Sequence, residues 1–138
     1  MINPVRHIIR VIYGDTDQMG IVYYANYLRY FEVGRNEWIR AQNFTYRLFE
    51  QYSVRLPVVN AQINYKIPAH YDDEIVVCTK LLSIKKASLE FNYEILRSDQ
   101  ILAIGSTRHA CINFDGKIVP FPKAIRIFFD IDLTAKNL

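Results

Sequence analysis

Only one stretch of this chain has a helical period long enough for a helix that could cross a domain. From Ala25 to Gln42, Tyr27, Phe31, Gly34, Trp38 and Ala41 recur at steps of three or four and share one face. Arg29, Glu32, Asn36 and Arg40 fall on the other face, while Leu28 and Tyr30 widen the apolar one. Asn26 stands near the helix start. Gly34 costs roughly 1 kcal/mol of helix propensity relative to Ala, so its place in the apolar face predicts the close approach of a strand. A helix with one apolar stripe must bury it against another layer.

The rest of the chain supplies that layer. Residues 5 to 13 alternate as a strand, and residues 14 to 20 form a turn containing Gly14, Asp15, Asp17 and Gly20. A short helical pattern at 45 to 52 has Thr45 as its candidate cap. Residues 56 to 67 alternate through Val59, Ala61, Ile63 and Tyr65, and 68 to 73 read as a turn. Segments 74 to 84 and 87 to 97 look like a hairpin around Lys85-Lys86. After a turn at 98 to 100, the strand pattern at 101 to 114 leads to the turn signal Asp115-Gly116 and a short return at 117 to 119. Pro120 and Pro122 end that return, before a last helical turn at 123 to 129. Ile75-Val76-Val77 and Ile101-Leu102-Ala103-Ile104 do not alternate, which suggests that the second face of the sheet meets another subunit. The expected class is α+β, one long helix against an antiparallel sheet, in one domain over residues 1–138.

Composition bounds the function. A chain of 138 residues with 51% hydrophobic residues can build a core without staples. Its 14% aromatic content includes ten Tyr and eight Phe, enough to line a pocket or interface as well as the core. A net charge of +3 without a clustered basic face does not point to nucleic acid. Cys78 and Cys111 lie far apart in strand patterns and read as reduced, buried thiols. No run is long and apolar enough to span a membrane, and the start lacks the pattern of a signal peptide. Cytoplasm is the expected location.

The chemistry is narrowed in the same way. The chain has no G-x-S-x-G, Walker, G-x-G-x-x-G or H-E-x-x-H motif. His7, His70 and His109 have no metal-ligand spacing, so neither a metal nor another cofactor is expected. The carboxylates of the 13–20 turn remain. Asp15 and Asp17 can serve turn and helix-entry hydrogen bonds. A carboxylate there can also attack a carbonyl carbon, or take a proton from an attacking water. The unpaired N–H groups of the helix start, Tyr24 being the best placed, would then stabilise an oxyanion. A thioester suits so sparse a site, because its carbonyl is reactive and the thiolate leaves readily.

Tyr13-Gly-Asp-Thr-Asp17-Gln-Met-Gly20-Ile-Val-Tyr-Tyr24-Ala-Asn-Tyr27, continuing to Trp38, resembles the signature of the 4-hydroxybenzoyl-CoA thioesterase family of hotdog-fold proteins. It is most similar to the acyl-CoA thioesterases associated with the bacterial Tol-Pal system. Ile63-x-Tyr65-x-x-Pro68-Ala69-x-Tyr71-Asp72-Asp73 is similar to the family's next strand and turn. The resemblance implies a hotdog fold: a long central helix wrapped by a curved antiparallel sheet of five or six strands. It also implies hydrolysis of a fatty or aromatic acyl-CoA, in a homodimer or a tetramer of dimers with the site at the subunit interface. Asp17 matches the catalytic carboxylate. Tyr24 matches the residue whose N–H faces the thioester carbonyl, where many Tol-Pal-type members carry His. Gly20, Ile21 and Val22 match the turn that admits the substrate, and Tyr13 a position that walls the pocket. Lys85 and Lys86 become candidate contacts for the phosphates of CoA, as point-charge donors. Asp15 is left as a turn residue. The competing expectations are an acyl-carrier-protein thioesterase and a non-catalytic hotdog module that binds acyl groups or a partner protein.

Overall fold

The computed structural model describes residues 1–43, 46–126 and 129. The elements run β1 (Val5–Arg10), a 3-10 turn (Tyr13–Asp15), α1 (Asn26–Ala41), α2 (Tyr46–Gln51), β2 (Val58–Tyr65), β3 (Glu74–Ile84), β4 (Ser88–Arg97) and β5 (Gln100–Ala110). The strands form a sheet in the order β1-β3-β4-β5-β2, antiparallel at every pairing. The helix α1 packs on one face of it, which is the α+β hotdog arrangement expected.

Most of the stripe read from the sequence is buried, although Ala41 is only half-buried and Ile39, which was not read into it, is buried. Tyr27, Tyr30, Phe31, Gly34, Trp38 and Ile39 of α1 face the sheet. Leu28 does not: it is 41% exposed, because it lies beyond the edge of the stripe toward the open side of β2. Phe31 stacks on Tyr93 of β4 with ring centroids 4.2 Å apart. Trp38 meets Phe91 edge-on at 5.2 Å. Gly34 is where β3 approaches, since an added Cβ would collide with Thr79 Oγ1 and lie 3.0 Å from Val77. Gly105 of β5 does the same from the sheet side. A Cβ there would lie 2.5 Å from the Phe31 ring and 2.5 Å from the Gln62 carbonyl oxygen.

Several boundaries differ from those expected. The first strand ends at Arg10 rather than at 13, because Ile12 and Tyr13 offer their carbonyls to the N–H groups of Asp15 and Thr16, both at 3.0 Å, and curl the chain. The strand expected to reach 114 ends at Ala110, and the return at 117 to 119 contributes only the bridge between Ile112 and Ile118. The sheet therefore has five strands. The broken alternation at 101 to 104 is a bulge: Leu96 pairs with Ile101 and Ile95 with Ala103, so Leu102 is the extra residue, and it is fully buried. The outer face of the sheet is not apolar throughout. Ile8, Val76, Leu96 and Ile101 make an apolar row, but Arg6, Lys80, Glu94 and Arg108 occupy exposed positions beyond it. The segment 123 to 126 is helical as expected, whereas 127, 128 and the Thr45 cap lie outside the described residues.

The core holds one polar chain. The Nδ1–H of His109 donates to the Leu56 carbonyl at 2.9 Å, which leaves Nε2 to accept from the Thr107 hydroxyl at 2.8 Å. Thr107 in turn accepts from the Tyr93 hydroxyl at 2.5 Å. This relay needs a neutral imidazole, and His109 is 1% exposed. Burial, reinforced by the charge of Arg35 and opposed by the Leu56 bond, pulls its pKa down to about 4. The unfolded chain binds this proton below a pH of about 6.5 and the folded chain only near 4. The associated stability is complete above about 6.5 and is lost as the pH falls toward 4, on the order of 3 kcal/mol in all. Urea midpoints measured across that window should fall in the parent protein, and His109→Gln should flatten the part of the slope that this residue contributes.

Candidate active site

The site is assembled by the turn that connects β1 to α1. Asp15 heads it and is only 5% exposed. Its carboxylate accepts from the Arg29 guanidinium and, at 2.9 Å, from the Tyr30 hydroxyl, both on the first turn and a half of α1. Its carbonyl accepts from the Tyr23 N–H at 2.9 Å and the Asn26 side-chain amide at 2.9 Å. Asp15 therefore does more than shape a turn: it fastens the helix start to the end of β1. Burial, with its hydrogen bond to Asp15, holds the Tyr30 phenol well above the usual tyrosine range, so it remains a donor.

Asp17 has a different environment. Its Oδ1 accepts from the Met19 N–H at 2.8 Å, and its carbonyl from the Gly20 N–H at 3.0 Å. Gly20 closes this turn at φ +79°, a left-handed conformation that favours glycine. The turn is clamped by the pairing of Thr16 with Val22 and of Ile21 with His70, and by the Val22 N–H donating to the Ala69 carbonyl at 2.8 Å. Among the described residues no protein group takes Oδ2 of Asp17, so one carboxylate oxygen is positioned by the turn and the other is open.

The helix entry supplies the complementary group. The Asn26 N–H donates at 2.8 Å to the Tyr23 carbonyl. In a trans peptide the N–H opposes the C=O, so the Tyr24 N–H is directed out of the helix start. Among the described residues nothing accepts it. Both Asp17 and Tyr24 line a cavity of about 460 Å³. Ile21 and Val22 add apolar wall from the same turn, and Tyr65, Lys66, Ile67 and Pro68 add wall from the end of β2.

Four of the expected site residues thus meet at one cavity: Asp17, Ile21, Val22 and Tyr24. Gly20 shapes the turn without lining the cavity. Tyr13 does not wall the pocket. It is 78% exposed and packs edge-on against Tyr71 at 5.9 Å, because the 3-10 turn swings it outward. Lys85 and Lys86 are exposed in the hairpin between β3 and β4, whereas the cavity lies at the Glu74 end of β3. At about 3.3 Å per residue, the 11 residues of β3 separate them by roughly 30 Å within one chain. Met19, Tyr23, Tyr27 and the 65–68 segment line the cavity but were not expected to. The pattern Ile63-x-Tyr65-x-x-Pro68 was the available signal for that segment. Among the described residues no cluster of His, Cys, Asp and Glu could hold a metal ion, and no helix is long and apolar enough to cross a membrane.

The two aspartates should therefore separate by experiment. Removing Arg29, itself half-exposed, leaves a buried carboxylate without its cation, at a cost on the order of 1 to 2 kcal/mol after solvent screening. Arg29→Ala should lower the urea midpoint strongly and Asp15→Asn somewhat less. Asp17→Asn should leave the midpoint nearly unchanged, because the amide oxygen can still accept from the Met19 N–H.

Comparison with known proteins places the chain in a family. The model of the thioesterase-like superfamily matches residues 11–129. The acyl-CoA thioesterase YbgC of Haemophilus influenzae is 36% identical over 124 residues, covering 88% of this chain and 90% of the relative. The putative acyl-CoA thioesterase YneP of Bacillus subtilis is 40% identical over 118 residues, covering 84% and 86%. The structure of the DHNA-CoA thioesterase from Staphylococcus aureus superposes with a TM-score of 0.91 at 26% identity, over 97% of this chain and 93% of that one. The chain belongs to the thioesterase-like superfamily of hotdog-fold proteins.

Proposed function

We propose that this protein is an acyl-CoA thioesterase that hydrolyses the thioester to a free acid and CoA. The observation that carries this reading is that Asp17, with one open oxygen, and Tyr24, whose helix-entry N–H has no acceptor among the described residues, line the same apolar cavity. The acyl chain lies in the cavity with its carbonyl oxygen toward the Tyr24 N–H. Asp17 either takes a proton from a water that attacks the carbonyl carbon or attacks that carbon itself. Negative charge moves to the carbonyl oxygen, where the Tyr24 N–H stabilises it. The C–S bond then breaks and the thiolate leaves, taking the proton from Asp17 on the water route or from solvent on the direct route, to give CoA. On the direct route, a second attack by water releases the acid from Asp17. The side chain at Tyr24 has no role in this scheme, so the absence of a His there does not weaken it.

The finer placement, in the 4-hydroxybenzoyl-CoA thioesterase family near its Tol-Pal-associated members, rests on the Asp17-to-Tyr27 signature. With it go a single hotdog domain over residues 1–138, a cytoplasmic location and a homo-oligomer. The β2 edge supports the oligomer: its outer side is open, and Val58, Val59 and Tyr65 are 44%, 53% and 49% exposed. Two copies paired antiparallel through β2 bring the far end of the partner's sheet beside the cavity. Lys85 and Lys86 then serve a cavity in the other copy, as contacts for CoA phosphates. The double variant Lys85→Glu, Lys86→Glu should raise KM for acyl-CoA about tenfold or more, with a weaker effect at high salt and little change in kcat. An unchanged KM would remove these lysines from the site.

Release of free thiol from a panel of aliphatic and aromatic acyl-CoA esters tests the activity directly. Asp17→Asn should lower kcat by about 10²-fold or more with the oligomer intact; unaltered turnover would sink the proposed role. Poor turnover of every CoA ester alongside rapid hydrolysis of acyl-carrier-protein esters would instead identify the carrier protein as the substrate.

A further inference from the structure

The hydroxyl of Tyr65 donates to the carbonyl of Tyr24 at 2.8 Å, a contact between the last residue of the edge strand and the helix entry, 41 residues apart in sequence. The ring that carries it is held by its neighbours. It meets Tyr27 edge-on at 5.2 Å and Tyr24 at 6.5 Å, and its backbone is registered against Ala103 of β5. Burial raises its pKa, which favours the protonated, donating form.

Tyr24 sits between two peptide planes. The plane on its N-terminal side is set by the Asn26 N–H on the Tyr23 carbonyl. The plane on its C-terminal side carries the Tyr24 carbonyl, whose other bond, from the Tyr27 N–H, is long at 3.4 Å. A weak first-turn bond leaves that plane poorly fixed by the helix alone. The Tyr65 hydroxyl supplies the shorter bond. With both planes held, the backbone of Tyr24 has one orientation, and so does the N–H that would meet the oxyanion.

We infer that Tyr65 is a positioning residue of the site, whose hydroxyl fixes the peptide that follows Tyr24 and so, with the preceding peptide held by Asn26, the orientation of the Tyr24 N–H. This rests on the thioesterase reading above. A donor held in place before reaction acts mainly on the transition state, in which the charge on oxygen develops, and far less on ground-state binding. Tyr65→Phe removes the bond and keeps the ring in its cluster, so its effect belongs in kcat.

The test is steady-state kinetics of wild type and Tyr65→Phe on the same acyl-CoA, with thermal melts and a pH profile of kcat. One neutral hydrogen bond corresponds to about a fivefold effect on rate. The expected result is a loss of kcat of about that size or larger, with KM within about twofold, an unshifted acid limb of the profile and a melting temperature near that of wild type. Unchanged kcat would overturn the inference, as would a raised KM with kcat retained, or a fall in kcat matched by a large drop in melting temperature. Wild type inactive on every ester would end the hydrolase reading and this inference together. An active wild type equalled by Tyr65→Phe would end this inference alone.

Discussion

The buried carboxylate of Asp15 is the contact on which the rest of the arrangement depends. It takes the Arg29 guanidinium and the Tyr30 hydroxyl from α1, while its own backbone takes Tyr23 and Asn26. An ionised group shielded from water is tolerated only when opposite charge and hydrogen bonds surround it. The strand end, the turn and the helix start must therefore settle together. The anchor ties the start of α1, and with it the segment that carries Tyr24, to the turn that carries Asp17.

Much of this was legible in the residues. The period of α1 survives in the fold because a helix of 16 residues with one apolar stripe has few alternatives to lying on a sheet. Gly34 announced the approach of β3 because a helix interior does not otherwise favour glycine. What escaped reading involves contacts between distant segments. Asp15 and Asp17 differ by two positions and share a side-chain chemistry. Their separation into anchor and open carboxylate depends on Arg29 and Tyr30, which α1 brings back over the turn. Local pattern marked the broken alternation at 101 to 104 but not its cause, a bulge at Leu102, whose carbonyl accepts from the N–H groups of both Lys66 and Ile67.

The same reasoning accounts for what the candidate site gained and lost. Tyr13 favours strand on propensity, but the carbonyls of Ile12 and Tyr13 are taken by a 3-10 turn that carries its ring to the surface. The lysine hairpin lies at the opposite end of the sheet because β3 is 11 residues long and keeps its register with β4, apart from a shift near Ser83. Distance along a strand is invisible to a motif, whereas register is decisive for what shares a cavity. The wall from 65 to 68 enters because β2 pairs with β5 rather than with its sequence neighbours.

The bare backbone of Gly105 under the Phe31 ring has a consequence for how such a site can change. With ring against main chain, the helix rides at the lowest height that atoms allow, and no side chain there can be trimmed to lower it or enlarged without dislodging it. The height of the helix over the sheet is thus inherited from the scaffold. New acyl preferences in descendants of this sequence would arise by exchange of wall residues such as Met19 or Ile67, while the helix beside the cavity stays where it is.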